Sequence, residues 1–252
     1  MYIDSRGIVL RQIKTQDTRT MLLVFTEKYG KLSVGTGLTG KGKNKSSLAL
    51  RPFTFGMYHI FKGRNYYNLD RAETLHSFYS IGEDIDKYME ASYILELTEK
   101  VIPEDVPQPG IFSLLMNFIK ALEKRKTHHL TLKLAYEVKL LKLLGIFPEL
   151  KRCAICGSTE GKEYFSIESG GLMCSGCCEK IKSESTESLI FPTTFDIVKV
   201  LNYFASNSLE TFEKIALEDK TAKYLQRIIR SYISYHLDIK KLKSESVFDV
   251  EI

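Results

Sequence analysis

Apolar and polar positions follow two different periods along this chain, and the change falls near residue 75. Up to about residue 72 the apolar residues come in short runs rich in β-branched and aromatic side chains: Ile3, then residues 7–13, 20–26, 31–36, 53–61 and 66–69. Breakers separate them, at Thr15-Gln-Asp, Tyr29-Gly30 and Gly63-Arg-Asn. About five short strands in so few residues predict a small closed β-barrel of the OB type, although SH3-like barrels share the pattern.

From about Leu75 the apolar residues recur at helical spacing. Ile85, Tyr88, Met89, Ser92 and Leu95 predict one apolar stripe that continues to Val101, closed by Pro103, Pro107 and Pro109. A second helix is expected over residues 110–123, with Phe112, Leu115, Met116 and Ile119 inward. A third spans residues 130–144, placing Leu130, Leu134, Val138 and Leu141 on one face, and Gly145 and Pro148 stop it. Phe191-Pro-Thr reads as a turn into a helix that runs through Phe204. The last helix covers residues 221–237, with Leu225, Ile228, Ile229, Tyr232 and Ile233 as its buried stripe, and the mixed-charge tail from Lys240 is expected to fray.

Between the third and fourth helices lies the most specific pattern in the chain. Cys153-Ala-Ile-Cys156 and Cys174-Ser-Gly-Cys177 form two C-x-x-C knuckles with 17 residues between them. That spacing predicts a four-cysteine zinc site, because each tight turn aims two thiolates at one metal. A disulfide pair or an iron site are the other readings. Cys178 is a rival ligand or a plain buried thiol, and the symmetric spacing favours Cys177. Four thiolates leave zinc no open position for water or substrate, so one structural zinc is expected rather than a catalytic one. The whole is then an α+β multidomain chain: an N-terminal OB-type barrel over residues 1–80, a helical domain over 81–150 and 181–252, and a zinc knuckle inserted at 151–180.

Composition sharpens two points. The 252 residues, 44% hydrophobic and 27% charged, are ordinary for a globular protein with a real core. The N-terminus lacks the basic start and apolar core of a signal peptide, and no apolar run approaches a membrane span, so the expectation is a cytoplasmic chain without a membrane partner. In that reducing compartment paired cysteines are better read as metal ligands than as disulfides. The net charge of +5 is unevenly spread: the first 80 residues hold 13 Lys and Arg against 5 Asp and Glu, so the rest of the chain is net negative. Between Glu27 and Asp70 there is no carboxylate at all. One sign of charge over so short a length predicts a polyanion partner, with Arg6, Arg11, Arg19, Lys28, Lys31, Lys41, Lys43, Lys45, Arg51, Lys62 and Arg64 as candidate contacts. Phe53, Phe55, Tyr58, Phe61, Tyr66 and Tyr67 interleave with this charge and offer faces for unpaired bases, although alternation sends about half of them to the core.

Other motifs fail on context. Gly35-Thr-Gly-Leu-Thr-Gly40 satisfies G-x-G-x-x-G, but no carboxylate follows for a ribose. The same glycines with Lys41 approach a phosphate loop, but Gly42 stands where Ser or Thr would hold magnesium. What remains is a loop whose Lys41, Lys43 and Lys45 alternate with small residues, suited to tracking phosphates. The five histidines are scattered without metal or triad spacing, no G-x-S-x-G elbow occurs, and no enzymatic activity is expected.

Several segments together resemble a known family. Arg6-Gly-Ile-Val-Leu, Phe25-Thr-Glu-Lys-Tyr-Gly-Lys-Leu, the glycine and lysine loop, Leu50-Arg-Pro-Phe, and Cys-x-x-Cys followed by Gly170-Gly-Leu-Met-Cys-x-x-Cys are similar to the bacterial RecO family of DNA repair proteins. The chain departs from it in a lysine-rich rather than arginine-rich loop at residues 37–45, and in residues 14–18, which lack the usual glycine and glutamate. The resemblance implies a nucleoid-associated recombination mediator that binds single- and double-stranded DNA and anneals complementary strands. It also implies work with RecR, docking on the C-terminal tail of single-stranded DNA-binding protein, and indirect help in loading RecA. The alternative, a zinc-stabilised protein that binds RNA or ribosomes, follows from the same basic barrel.

Overall fold

The computed structural model describes residues 1–14, 20–37, 48–184, 189–193, 195–213 and 215–246. The chain divides into two compact units, Met1–Arg125 with the segment from Leu242, and Lys126–Lys241.

The first unit is built on a closed barrel of β1 (Tyr2–Lys14), β2 (Thr20–Thr26), β3 (Gly30–Thr36), β4 (Thr54–Lys62) and β5 (Tyr67–Ser77), in the order β1-β2-β3-β5-β4. The long β1 serves two neighbours. Residues 2–8 pair with β4 and residues 7–14 with β2, with a register shift between Val9 and Arg11 where the strand bends. A parallel contact, Val34 opposite Tyr67 and Gly35 opposite Asn68, closes the barrel. Alternation fills it: Ile3, Val9, Leu22, Val24, Leu32, Val34, Tyr58 and Ile60 all point into one core. Tyr58 is fully buried there and donates its hydroxyl to the Ala49 carbonyl at 2.8 Å, and burial raises its pKa.

β2 is buried on both faces from Leu22 to Thr26. Its outer side meets α2 (Pro109–Lys124), where the Phe25 and Phe112 rings stand edge-to-face at 5.2 Å. Pro109 opens α2, and Phe112, Leu115, Met116 and Ile119 are buried as their spacing predicts. The helix before it, α1 (Ile85–Val101), starts at Asp84, whose carboxylate accepts from the amides of Asp86 and Lys87. Its buried face is not the expected stripe. Ala91, Ile94, Leu95 and Thr98 are inward, whereas Ile85 and Tyr88 are 64% and 45% exposed. Apolar residues lie on several sides of α1, so spacing alone left its rotation open.

The tail does not simply fray from Lys240. Leu242 is fully buried and Lys243–Ser246 forms one helical turn, α7. The Glu96 carboxylate on α1 accepts the backbone N–H groups of Lys243 and Ser244, each at 2.8 Å. Burial would raise this carboxyl, but the Ser244 and Lys243 amides outweigh it and hold its pKa below the usual value. The folded pKa therefore lies below the unfolded one, and Glu96 contributes stability that is present at neutral pH and lost as pH falls through the carboxylate range. Glu96→Gln is expected to lower stability by about 1 kcal/mol at pH 7, with a smaller difference near pH 4. Thermal unfolding at both pH values checks it, and an equal loss at both would refute the carboxylate's role.

In the second unit α3 (His129–Leu143) packs against α5 (Phe195–Ser206), a 3-10 turn at Leu209–Glu213, and α6 (Asp219–Leu237). Leu134, Val138 and Leu141 are buried as predicted, and so is most of the rest of α3, including Lys133 and Glu137. On α6 the stripe Leu225, Ile228, Ile229, Tyr232 and Ile233 is buried as its periodicity requires. Between α3 and α5 lie three short strands, β6 (Tyr164–Ser166), β7 (Gly171–Met173) and β8 (Ile190–Pro192), in the order β7-β6-β8, and α4 (Ser175–Glu184). Phe191-Pro192, read as a turn, thus stands in a strand, whose Pro192 carbonyl accepts from Tyr224 on α6 at 2.5 Å.

Candidate metal centre and nucleic-acid interface

The ligand atoms of Cys153, Cys156, Cys174 and Cys177 all lie within 4.8 Å of one another, and the Cys156 and Cys174 sulfurs are 3.7 Å apart. Tetrahedral zinc with its usual bond to sulfur needs sulfurs about 3.8 Å apart. The first knuckle is a tight turn in which the Gly157 amide donates to the Cys153 carbonyl at 2.9 Å. Gly157 has φ 76°, which a side chain would strain. The Ala154 amide hooks this turn to the Leu172 carbonyl of β7 at 2.7 Å. β7 in turn delivers Cys174, and the second knuckle occupies the first turn of α4. The Cys174 amide points at the Cys153 sulfur, 3.4 Å away.

Cys178 settles differently from its neighbours. It is buried in a small core with Cys153 and Met173 and is outside the four-sulfur set. The thiols are electrostatically unequal. Burial pushes Cys153 up, but the amides of Cys156, Cys174 and Ile155 outweigh that and bring it down to about 6. Burial and the neighbouring thiols push Cys177 up to about 12. Four thiolates this close repel one another, and a divalent cation among them removes that conflict. The set can hold a metal ion, and a tetrahedral four-sulfur donor set suits zinc or iron. When bound, the metal would be saturated by the four sulfurs and would tie the two knuckles together.

The candidate bases of the barrel separate into three groups. Arg6 makes a two-pronged pair with Glu27, both contacts 2.9 Å; Arg11 pairs with Glu99 at 2.8 Å; and the Lys31 ammonium donates to the Glu99 carbonyl at 2.8 Å. These three serve the fold of their own unit. Lys28, Arg51, Lys62 and Arg64 are exposed and have no ion pair among the described residues. Arg19, Lys41, Lys43 and Lys45 lie outside the described residues.

A cleft of about 790 Å³ opens where β2 and β3 face the β4–β5 turn, lined by Met21, Ser33, Gly35, Asn65, Tyr66 and Asn68. Gly35, the first glycine of G-x-G-x-x-G, sits in the β3 ladder opposite Met21, so it does not form a strand-to-helix turn. Of the six aromatics, Tyr58 belongs to the core, and Phe53 leans on Tyr88 with ring centroids 5.7 Å apart. Phe61, Tyr66 and Tyr67 cluster at the β4–β5 turn, where the Lys62 ammonium lies 5.6 Å from the Tyr67 ring. Sequence reasoning missed Tyr2, which is exposed and meets Phe61 edge-on at 5.3 Å. The signal was the alternation itself: with Ile3 inward, Tyr2 must face out.

Both parts of this architecture match one family. The model described as Recombination protein O N terminal covers residues 1–78, and the one described as Recombination protein O C terminal covers residues 82–246. The chain belongs to the recombination protein O family. Its RecO relatives align nearly end to end. It is 31% identical over 241 residues to DNA repair protein RecO of Alkaliphilus metalliredigens, covering 94% of this chain and 95% of the relative. It is 29% identical to that of Thermoanaerobacter sp. over 94% of each chain. The corresponding protein of Listeria monocytogenes is 29% identical, over 90% of this chain and 86% of its own length. The closed barrel in this RecO family member is therefore the OB-type N-terminal domain, and the cysteine cluster falls within the C-terminal match. No helix among the described residues is long and apolar enough to cross a membrane.

Proposed function

We propose that this chain is a DNA-binding recombination mediator that binds single- and double-stranded DNA and anneals complementary strands without covalent chemistry. Membership of a DNA repair family supports the setting, and the observation that carries the reading is the confinement of excess positive charge to the barrel segment. Neutralising phosphates on two strands lowers their repulsion, and released counterions drive the encounter. No acid, base or nucleophile is required for that. Lys28, Arg51, Lys62 and Arg64 are exposed to phosphate without an ion pair among the described residues, and Arg19, Lys41, Lys43 and Lys45 extend the set by sequence. Arg6, Arg11 and Lys31 contribute to the field while holding the fold. The metal is one structural zinc. On this reading the protein works with RecR on DNA coated by single-stranded DNA-binding protein, docks on that protein's C-terminal tail, and so assists RecA loading within the nucleoid.

A strand-annealing assay tests the proposal. Complementary oligonucleotides should pair faster with the protein than without it, both bare and when coated with the single-strand binding protein. Deleting that protein's acidic tail should abolish only the coated reaction. No acceleration on bare strands would sink the reading. A clear preference for matched single-stranded RNA in competition would replace it with the RNA-binding one.

A further inference from the structure

The outer face of β1 and β4 carries an aromatic row that the charge of the barrel does not explain. Ile3 and Ile60 go to the core, so their neighbours Tyr2 and Phe61, paired across the two strands, face outward. Tyr2 is 65% exposed and Tyr66, on the β4–β5 turn, is 54% exposed. The rings are contiguous: Tyr2 to Phe61 is 5.3 Å between centroids and Phe61 to Tyr66 is 6.2 Å. They are also placed. The Lys62 amide donates to the Met1 carbonyl at 2.8 Å, fixing the start of β1 beside the turn, and the Gly63 amide donates to the Tyr66 carbonyl at 2.9 Å. A side chain on Gly63 would meet the Tyr66 ring at 2.5 Å, so glycine there leaves the ring room to lie along the turn.

Monomeric proteins seldom leave adjacent large rings in water without a ligand for them. The charge around this row says which ligand. Lys62 and Arg64 flank it, both exposed, and the sequence from Lys28 to Leu69 holds no carboxylate. Of the carboxylates that border the row, Asp4 is engaged by His59 at 2.8 Å, Asp105 accepts the Tyr67 hydroxyl at 2.6 Å, and Asp70 on β5 is exposed. Rings interleaved with cations match a chain of flat bases joined by phosphates. Tyr66 also lines the cleft beside β3, so the row continues that cleft around the turn.

We propose that Tyr2, Phe61 and Tyr66 form a stacking surface for unpaired bases, with Lys62 and Arg64 on the adjoining phosphates, and that this face selects single strands over duplexes. A duplex already stacks its bases on each other and cannot offer them to the rings. The proposal rests on the barrel's reading as a nucleic-acid-binding domain and goes beyond it, because charge alone makes no such distinction.

The test is the double variant Tyr2→Leu with Tyr66→Leu, which keeps apolar bulk and removes two rings from exposed positions. Affinity is measured for a labelled oligothymidylate of about 16 nucleotides, for its duplex, and for an abasic strand of equal length. The expected result is a loss of about tenfold or more for the oligothymidylate, with the abasic strand, the duplex and the salt dependence unchanged. The matching Tyr2→Phe with Tyr66→Phe variant retains wild-type affinity. Unchanged oligothymidylate binding by the leucine variant overturns the proposal, and so does an equal loss on all three ligands. If the unaltered protein binds none of them, the nucleic-acid reading of the barrel fails and this proposal with it.

Discussion

Cys174→Ser is expected to release the metal and to unfold the segment between the two knuckles. The core beneath that segment is small: Cys153, Met173 and Cys178 are its buried members, with Tyr164, Cys174, Cys177, Ile181 and Ile190 partly buried around them. The ligands are thus a large share of their own hydrophobic core. The strands they tie together have three residues each, too short to be stable alone. A structural zinc supplies about 10–16 kcal/mol in isolated finger peptides, against about 5–15 kcal/mol for the whole stability of a typical domain. Even a third of that, about 4 kcal/mol, should lower the unfolding temperature of a unit this size by roughly 12–24 °C. Metal analysis should give one ion per chain in the unaltered protein and none in the variant, and a chelator should reproduce the loss of stability. Cys178→Ala is the control: it removes a buried sulfur from the same core but no ligand, so it should keep the metal and cost about 1 kcal/mol. DNA affinity of Cys174→Ser, measured below its unfolding temperature, should stay near that of the unaltered protein, because the excess of basic over acidic residues lies in the barrel segment. A Cys174→Ser protein that remained stable and metal-bound, yet failed to anneal strands, would give the knuckles a direct role in function.

The parts of this molecule that were legible in its sequence are those set by local spacing. Two C-x-x-C turns name their own ligands, and the geometry brings together the four sulfurs that the spacing selects. Strand alternation and the stripes of α2 and α6 are properties of single segments, and they hold. What depends on partners distant in sequence was not legible. The rotation of α1 is decided by what covers Ala91 and Ile94, and apolar residues on several of its sides allow more than one answer. The strands β6, β7 and β8 are too short to carry a period. The helical turn after Leu242 exists because Glu96, some 147 positions away, accepts its amides. The candidate site divides in the same way. Composition located the basic barrel, but only pairing shows that Arg6, Arg11 and Lys31 are bound to Glu27 and Glu99 while Lys62 and Arg64 are free of them. Tyr2 joins Phe61 through a strand register that no local pattern encodes.

Replacing Lys41, Lys43 and Lys45 together by alanine is expected to produce the largest change in DNA binding of any substitution in the barrel. Three cations in five residues, spaced by glycine and asparagine, have no carboxylate within reach along the sequence in either direction. Each phosphate neutralised contributes about 0.7–0.9 to the slope of log affinity against log salt, so the triple variant should flatten that slope by roughly 2–3. The corresponding loss at physiological salt is on the order of 100-fold, and it should be similar for unrelated sequences because phosphates carry no base identity. Three arginines at these positions keep the charge and should keep the slope. Arg6→Ala gives the opposite pattern. Its guanidinium is held by Glu27 through two contacts of 2.9 Å, so its removal should disturb the β1–β2 edge and leave the salt slope nearly unchanged. Salt titrations of the three variants against one oligonucleotide separate these outcomes. An unaltered slope in the alanine triple would remove the lysine loop from the interface and shift the phosphate contacts to Lys28, Arg51, Lys62 and Arg64. A loss confined to one sequence would mean that the loop reads bases, which a phosphate-tracking segment cannot do.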